Sequence, residues 1–145
     1  MMKFLKNNAY PEISLHDKAF KLVKLQDGIK FVFSDGFIHV CEDGNKDVKG
    51  EIVINNIDPD EFRITCVKPF NFLGYHRMIT RDLTFAEFER IFDNYELEIF
   101  DEYYAYNSFI WRCAFKPYDK KMRRKYYQIE IEVYSESPLE YFIDE

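Results

Sequence analysis

Cysteine is scarce in this sequence, and its arrangement excludes a cysteine-based framework. The 145 residues include three cysteines, Cys41, Cys66 and Cys113, which lie far apart and form no Cys-x-x-Cys pair. An odd number at this spacing fits neither a disulfide framework nor a zinc site. We therefore predict that all three are small, buried, apolar side chains in a reducing compartment.

Motifs for catalysis or cofactor binding are also missing. The sequence has no GxGxxG, Walker or GxSxG motif, and its three histidines show neither HxH nor HExxH spacing. Such sites need particular residue types at fixed separations. Gly74, close to Arg77 and Arg81, lacks the strand–loop–helix context of a phosphate loop, and a phosphate site there stays an open alternative. We predict no catalytic residues, no cofactor and no metal site.

Long apolar runs are missing too. The N-terminal stretch MMKFLKNNAYPE lacks the apolar segment of a signal peptide, and no later segment reaches the length needed to span a bilayer. We expect a soluble, cytoplasmic protein without membrane contact. The net charge of -6 argues against nucleic acid as a partner, because phosphate binding depends on clustered lysine and arginine.

Asp-Gly pairs, by contrast, recur every eight residues between apolar runs, at Asp27-Gly28, Asp35-Gly36 and Asp43-Gly44. An Asp-Gly pair suits the two positive-φ positions of a type I′ turn. We predict tight hairpins at the first two pairs and a longer loop at the third, which is followed by polar residues 45–47. Pairing across the first two turns gives one apolar face, consisting of Phe20, Leu22, Ile29, Phe31, Phe33, Ile38 and Val40.

One helix is predicted near residues 84–94. Thr84 and Glu87 have the spacing of a capping box, and the helix that follows has one apolar stripe. The stripe consists of Phe85, Phe88, Ile91, Phe92 and Tyr95.

The remaining segments predict strands with a few irregular connections. Strands are expected at 51–57, 61–68, 96–106, 108–115 and 126–134, where apolar and polar residues alternate most clearly in the last. Residues 69–82 stay unassigned, and the basic segment 116–125 is predicted to be an exposed loop. The fold class is mainly β (α+β), a single domain over 1–145. Its antiparallel meander sheet is expected to curl into a sandwich or partly open barrel.

Charge is unevenly distributed in the second half. Residues 84–104 contain seven acidic residues and one arginine, residues 126–145 contain six acidic residues and no lysine or arginine, and residues 112–125 are strongly basic. Carboxylates interleaved with tyrosines predict a surface that binds a basic protein partner. The alternative is a set of solvated strand faces, partly neutralised by the basic segment. The predicted partner-binding residues are Glu96, Glu98, Asp101, Glu102, Tyr103, Tyr104, Glu130 and Glu132.

Two further functions stay open at this stage. The exposed aromatic residues would also suit a structural module that forms a homodimer. A small enzyme would place His16, Asp17 or His76 in a pocket.

Leu15-His16-Asp17 precedes the first hairpin, and Asp35-Gly36-Phe37 follows in the next. This pattern over the first third of the chain resembles small uncharacterised bacterial β-rich proteins, some of which are similar to immunity proteins of polymorphic toxin systems. The resemblance implies a non-enzymatic inhibitor that masks a toxin and carries over no catalytic residue. From the residues alone, we expect His16 and Asp17 to hydrogen-bond the backbone where the first strand begins.

Overall fold

The computed structural model describes residues 2–6, 13–41, 44–59, 62–105, 107–137 and 139–144. They form two helices, α1 (Phe85–Phe92) and α2 (Lys120–Lys125), and a set of strands. The strands are β1 (Met2–Lys6), β2 (Ile13–Ser14), β3 (Ala19–Leu25), β4 (Gly28–Cys41), β5 (Gly44–Asn55), β6 (Arg63–Phe72), β7 (Tyr75–Leu83), β8 (Glu96–Ala105), β9 (Ser108–Lys116), β10 (Gln128–Tyr134) and β11 (Leu139–Asp144).

The strands form one antiparallel sheet in the order β1-β11-β5-β4-β3-β8-β9-β10-β6-β7, and β2 pairs with β4. The sheet folds over itself, because the rings of Phe31 in β4 and Trp111 in β9 are 4.8 Å apart although β3 and β8 lie between their strands. The predicted fold class is therefore confirmed. No helix in the described part of the chain is long and apolar enough to cross a membrane.

The two halves of the sheet meet at β3 and β8. The ladder between these strands consists of Ala19↔Glu98 and Phe20↔Leu97. The preceding turn adds two backbone hydrogen bonds, from Asp17 N–H to the Ile99 carbonyl at 2.7 Å and from Ile99 N–H to the Lys18 carbonyl at 3.0 Å. We call these contacts the β3–β8 seam.

Aromatic side chains from both halves fill the core. Trp111 is fully buried, and its ring centroid lies 4.5–6.4 Å from those of Phe20, Phe31, Phe33 and Phe109. Such edge-to-face and tilted aromatic contacts contribute energy beyond the apolar area they bury.

The prediction that the cysteines are buried is confirmed at two of the three positions. Cys66 and Cys113 are buried and free. Burial raises the pKa of both thiols, so they stay protonated. The side chain of Cys41 lies outside the described residues.

The first predicted hairpin is present, but its turn lies one residue earlier than Asp27-Gly28. In the first hairpin Leu25 pairs with Gly28, so the two connecting residues are 26 and 27. A turn at Asp27-Gly28 would have paired Leu25 with Lys30, two residues further along β4. Because the register shift is an even number of residues, every side chain stays on its predicted face.

The second Asp-Gly pair does not reverse the chain, so the prediction of a turn there is wrong. β4 continues through Asp35 and Gly36, and a bulge shifts its register against β5 between Phe33 and Phe37. Because the strand continues, Phe37 is fully buried, whereas Val40 is 42% exposed. The predicted core positions Ile38 and Val40 are therefore wrong.

A tight connection lies at the third Asp-Gly position instead. Cys41 pairs with Gly44, so two residues join β4 to β5 where we predicted a longer loop. Those two residues, Glu42 and Asp43, lie outside the described part of the chain.

The unassigned segment 69–82 is a hairpin. β6 and β7 pair from Ile64↔Leu83 to Phe72↔Tyr75, and both turn residues, Leu73 and Gly74, have positive φ. Two positive φ values are typical of a type I′ turn. Because β10 pairs with β6 no further than Val67, the hairpin extends beyond its neighbouring strand, and residues 70–82 are exposed.

Helix α1 confirms the predicted helix and its cap. The Thr84 hydroxyl accepts a hydrogen bond from the Glu87 N–H at 3.1 Å, and the Glu87 carboxylate accepts one from the Thr84 N–H at 3.4 Å. A cap of this kind contributes about 1 kcal/mol. Phe85, Phe88 and Phe92 are buried, as the stripe predicted.

Helix α2 lies where a loop was predicted. The Asp119 carboxylate caps it by accepting from the N–H groups of Lys121 (2.8 Å) and Met122 (3.3 Å). The Tyr95 hydroxyl donates to the same carboxylate at 3.0 Å, which lowers the pKa of Asp119 and raises that of Tyr95. The capping role of Asp119 is hard to recognise within a run of charged residues.

Candidate protein-binding surface

Six of the eight predicted partner-binding residues share one face of the sheet. Ile99, Trp111 and Ile131 point into the core, and the alternate positions of β8, β9 and β10 point away from it. We call this second set the outer face. Its members among the predicted residues are Glu96, Glu98, Asp101, Tyr103, Glu130 and Glu132.

The other two predicted residues lie on the inner face because of a bulge. The register of β8 against β9 shifts between Ile99 and Asp101, which inserts one residue and reverses the alternation beyond it. Glu102 consequently lies opposite Trp111, and Tyr104 lies opposite Phe109. The structure thus separates Glu102 and Tyr104 from the predicted surface.

Glu102 and Tyr104 form a hydrogen-bonded cluster at the margin of the core. The Tyr104 hydroxyl donates to the Glu102 carboxylate at 2.8 Å and accepts from the Trp111 indole N–H at 3.2 Å. The other carboxylate oxygen of Glu102 accepts from the Leu15 N–H at 3.3 Å. Burial, together with the neighbouring Glu102 charge, raises the pKa of Tyr104 well above its ordinary value. These bonds satisfy polar groups that would otherwise be costly to bury.

Tyr141 lies in the same region with its hydroxyl unsatisfied. It is 1% exposed, and its hydroxyl has no hydrogen-bond partner among the described residues. Burial and the Glu102 charge raise the pKa of Tyr141 far above the ordinary tyrosine value. The ring contributes packing against Phe37, whose centroid is 6.3 Å away, while the hydroxyl only loses hydration.

Replacing Tyr141 by phenylalanine should therefore leave the free energy of unfolding unchanged or raise it by up to about 1 kcal/mol. The matched change Tyr104→Phe breaks two hydrogen bonds and should lower it by about 1–3 kcal/mol. Urea unfolding of both variants checks the comparison. A clear loss of stability in Tyr141→Phe would show that its hydroxyl has a partner after all.

Side chains of the sheet neutralise part of the charge on the outer face. Arg112 pairs with Glu130 at 3.1 Å, and its guanidinium lies 5.2 Å from the centre of the Tyr103 ring. Lys116 is 3.9 Å from the Glu98 carboxylate. Exposed pairs of this kind contribute little stability and can exchange partners readily.

Two other predicted residues of the outer face have different surroundings. The Glu96 carboxylate accepts a hydrogen bond from the Ser34 hydroxyl at 3.0 Å. The Glu132 carboxylate is 3.8 Å from the Arg63 guanidinium, in a half-exposed pair. Each carboxylate has lone pairs left to accept a further hydrogen bond.

One end of the outer face is apolar and aromatic. Tyr103 is 47% exposed and Tyr134 is 66% exposed, and both lie on this face. Ile110 lies opposite Tyr103 on one side and Glu132 on the other, and is half-buried. Exposed tyrosines around an aliphatic residue are typical of binding surfaces. Sequence reasoning identified Tyr103 and left Ile110 out, although strict alternation in β9 would have revealed it.

The residues of the enzyme hypothesis belong to separate local pairs. His16 Nδ1 lies 3.0 Å from the Asp17 carboxylate, and both side chains are more than half exposed. His76 Nδ1 lies 2.7 Å from the Asn71 amide oxygen in the β6–β7 hairpin. The Asp17 main chain, rather than either side chain, makes the backbone hydrogen bond just before β3, to the Ile99 carbonyl.

Two surface pockets are lined by residues other than those of the enzyme hypothesis. One lies between α1 and strands β3 and β8 and includes Phe20, Phe88 and Phe92. The other lies beside the β3–β4 turn and includes Asp27 and Ile57. Neither is lined by His16, Asp17 or His76. In the described residues no three His, Cys, Asp or Glu side chains are placed to hold one metal ion.

Comparison with protein-family models, with curated proteins and with solved structures gave no match. Exposed aromatic groups beside an aliphatic residue and carboxylates are residue types found at protein-binding surfaces.

Proposed function

We propose that this protein is a non-enzymatic binding module that holds a basic protein on its outer face. The partner is a toxin, which the module inhibits in the manner of an immunity protein. The observation that carries the proposal is the position of Tyr103 and Tyr134, both well exposed, on the same face as the predicted carboxylates. Exposed aromatic anchors bordered by charge are the usual arrangement at protein interfaces.

The charge of the outer face supports a basic partner. On the outer face and the same side of the adjoining strands β6 and β7, six carboxylates outnumber three cations, Arg63, Arg112 and Lys116. The six carboxylates belong to Asp82, Glu96, Glu98, Asp101, Glu130 and Glu132. A net negative potential speeds association with a cationic protein and disfavours acidic ones.

Tyr103 also shows how a cationic side chain of the partner would be held. Its ring already carries the Arg112 guanidinium on one side. An arginine from the partner can occupy the same kind of position, with its charge compensated by Asp101 or Glu132 nearby on the face. Desolvated arginine–aromatic contacts are stronger than exposed ones, so they contribute most when the partner covers them.

The charge of the outer face favours a foreign partner over a second copy of this chain. In a twofold dimer the same patch meets itself, which would bring carboxylates against carboxylates. Size-exclusion chromatography with light scattering separates the two cases, because a stable dimer through this face would cover the tyrosines.

The test is co-purification with the product of the adjacent gene, followed by measurement of the dissociation constant. Reversing charge with Asp101→Lys or Glu132→Lys should raise that constant at least about tenfold, since like charges at an interface cost several kcal/mol. The matched control is Glu89→Lys, which makes the same change on the exposed side of α1. Binding that survives both outer-face reversals as well as it survives the control would refute the proposal.

A further inference from the structure

The β6–β7 hairpin has a second unpartnered surface with the opposite charge. Ile64 and Cys66 point into the core, and the same side of β6 continues past the core edge through Lys68, Phe70 and Phe72. Across the turn, Tyr75, Arg77 and Ile79 lie opposite these residues on the same side. Phe72 is 60% exposed and Tyr75 is 69% exposed.

The segment around α2 extends this surface. The Tyr127 N–H donates to the Val67 carbonyl at 2.8 Å, one residue out of the register in which Gln128 pairs with Val67, and α2 packs beside β6. The Arg123 guanidinium lies over two rings, 5.3 Å from the centre of Tyr127 and 5.7 Å from that of Tyr118. Cations and aromatic rings therefore occur together from α2 to the hairpin tip. We call this surface the aromatic–basic strip, formed by Tyr118, Arg123, Tyr127, Lys68, Phe70, Arg77, Phe72 and Tyr75.

The cations of this strip differ from those of the outer face, which lie beside carboxylates. The sequence has no acidic residue from Arg63 to Arg81, and five of the six residues of α2 are lysine or arginine. Lys68, Arg77 and Arg123 form no ion pair with another residue in the part of the chain that the structure describes. Uncompensated cations beside exposed rings therefore favour an anionic ligand with flat apolar groups.

We propose that the aromatic–basic strip binds single-stranded nucleic acid. Unpaired bases stack on exposed aromatic rings, and lysine and arginine contact the phosphates between them. A duplex fits less well, because its bases are already stacked and cannot reach the rings of the hairpin. The net charge of -6 argued against nucleic acid, but it averages over two separate surfaces. At an ionic strength of about 0.1 M the Debye length is about 10 Å, so salt weakens the effect of distant outer-face carboxylates on the strip.

The test uses fluorescence anisotropy with a labelled oligothymidylate about 20 nucleotides long, which exceeds a typical single-strand site. Binding should be detectable at low salt and weaken steeply as salt rises. Phe72→Ala should weaken it roughly tenfold through lost stacking, and Arg77→Gln should weaken it and reduce the salt dependence.

Two matched controls and two competing probes sharpen the test. Met78→Ala changes a residue 54% exposed on the opposite side of the same hairpin, and Lys46→Gln removes an exposed cation in β5; both should bind normally. A duplex of equal length and polyglutamate of equal charge should bind at least about tenfold more weakly, because neither offers bases for stacking.

Several results would overturn the proposal. One is the absence of binding to the oligothymidylate at low salt, and another is a Phe72→Ala effect no larger than that of Met78→Ala. Polyglutamate binding as tightly as the oligothymidylate would instead identify the strip as a site for an acidic protein segment. The substituted residues are exposed, so circular dichroism should show that every variant is folded.

Discussion

Replacing Trp111 by alanine should lower the free energy of unfolding by about 3–5 kcal/mol. The ring is fully buried and contacts four phenylalanine rings from three strands, so its removal leaves a cavity that neighbouring rings cannot fill. The melting temperature should fall by roughly 10 °C or more at this chain length. Urea and thermal unfolding followed by circular dichroism measure both quantities.

The control for this prediction separates packing from hydrogen bonding. Trp111→Phe keeps an aromatic ring in the core and loses the indole N–H that donates to Tyr104, so it should cost about 1–2 kcal/mol. Ile110→Ala, one position away on the outer face, should cost less than about 1 kcal/mol because that side chain is half-exposed. A loss for Trp111→Ala no larger than that for Ile110→Ala would contradict the assignment of Trp111 to the centre of the core.

The second large effect is expected at Gly36, in the bulge of β4. Its φ is +72°, which disfavours any residue with a Cβ, and a Cβ at this position would meet the main-chain carbonyl oxygen of Val48. Backbone strain costs about 1–2 kcal/mol, and displacing β5 adds to it, so Gly36→Ala should cost more than about 3 kcal/mol. Unfolding followed by the fluorescence of the single tryptophan provides the measurement.

Gly74 supplies the matched control for that experiment. Its φ is +81°, close to that of Gly36, but a Cβ there would meet open space. Gly74→Ala should therefore cost only the backbone strain, about 1–2 kcal/mol. Equal losses in the two variants would show that the contact with Val48 adds nothing.

Local patterns in the sequence predicted the elements whose causes are local. The Thr84–Glu87 capping box and the apolar stripe after it gave the position of α1, because a cap and a periodic face depend on residues within a few positions. The strict alternation in β10 likewise predicted that Ile129, Ile131 and Val133 point toward the core, and all three are buried.

Two bulges account for the errors on side-chain orientation. The bulge at Asp35-Gly36 keeps β4 running where a turn was expected, and the bulge near Phe100 turns Glu102 and Tyr104 inward. A bulge is selected by packing of the paired strand, and the alternation on either side looks the same with or without it. For this reason the strands that carry the candidate site could be predicted, whereas the inward position of two of its eight residues could not.

The β6–β7 hairpin escaped prediction for a different reason. Its turn uses Leu73 at a positive φ, a conformation that leucine rarely adopts, so the usual Asn-Gly or Asp-Gly signal is absent. The aromatic–basic strip depends on this hairpin and on the short helix α2, and for that reason it could not be identified from the sequence.

The β3–β8 seam has a consequence for hydrogen exchange. Two ladder pairs and two turn hydrogen bonds join the halves of the sheet, whereas most other neighbouring strands share longer ladders. The halves are therefore held together mainly by the rings between them, and the main-chain amides at the seam can exchange without unzipping a long ladder. The amide hydrogens of Asp17 and Ile99 thus report on transient separation of the two halves rather than on fraying of a single strand.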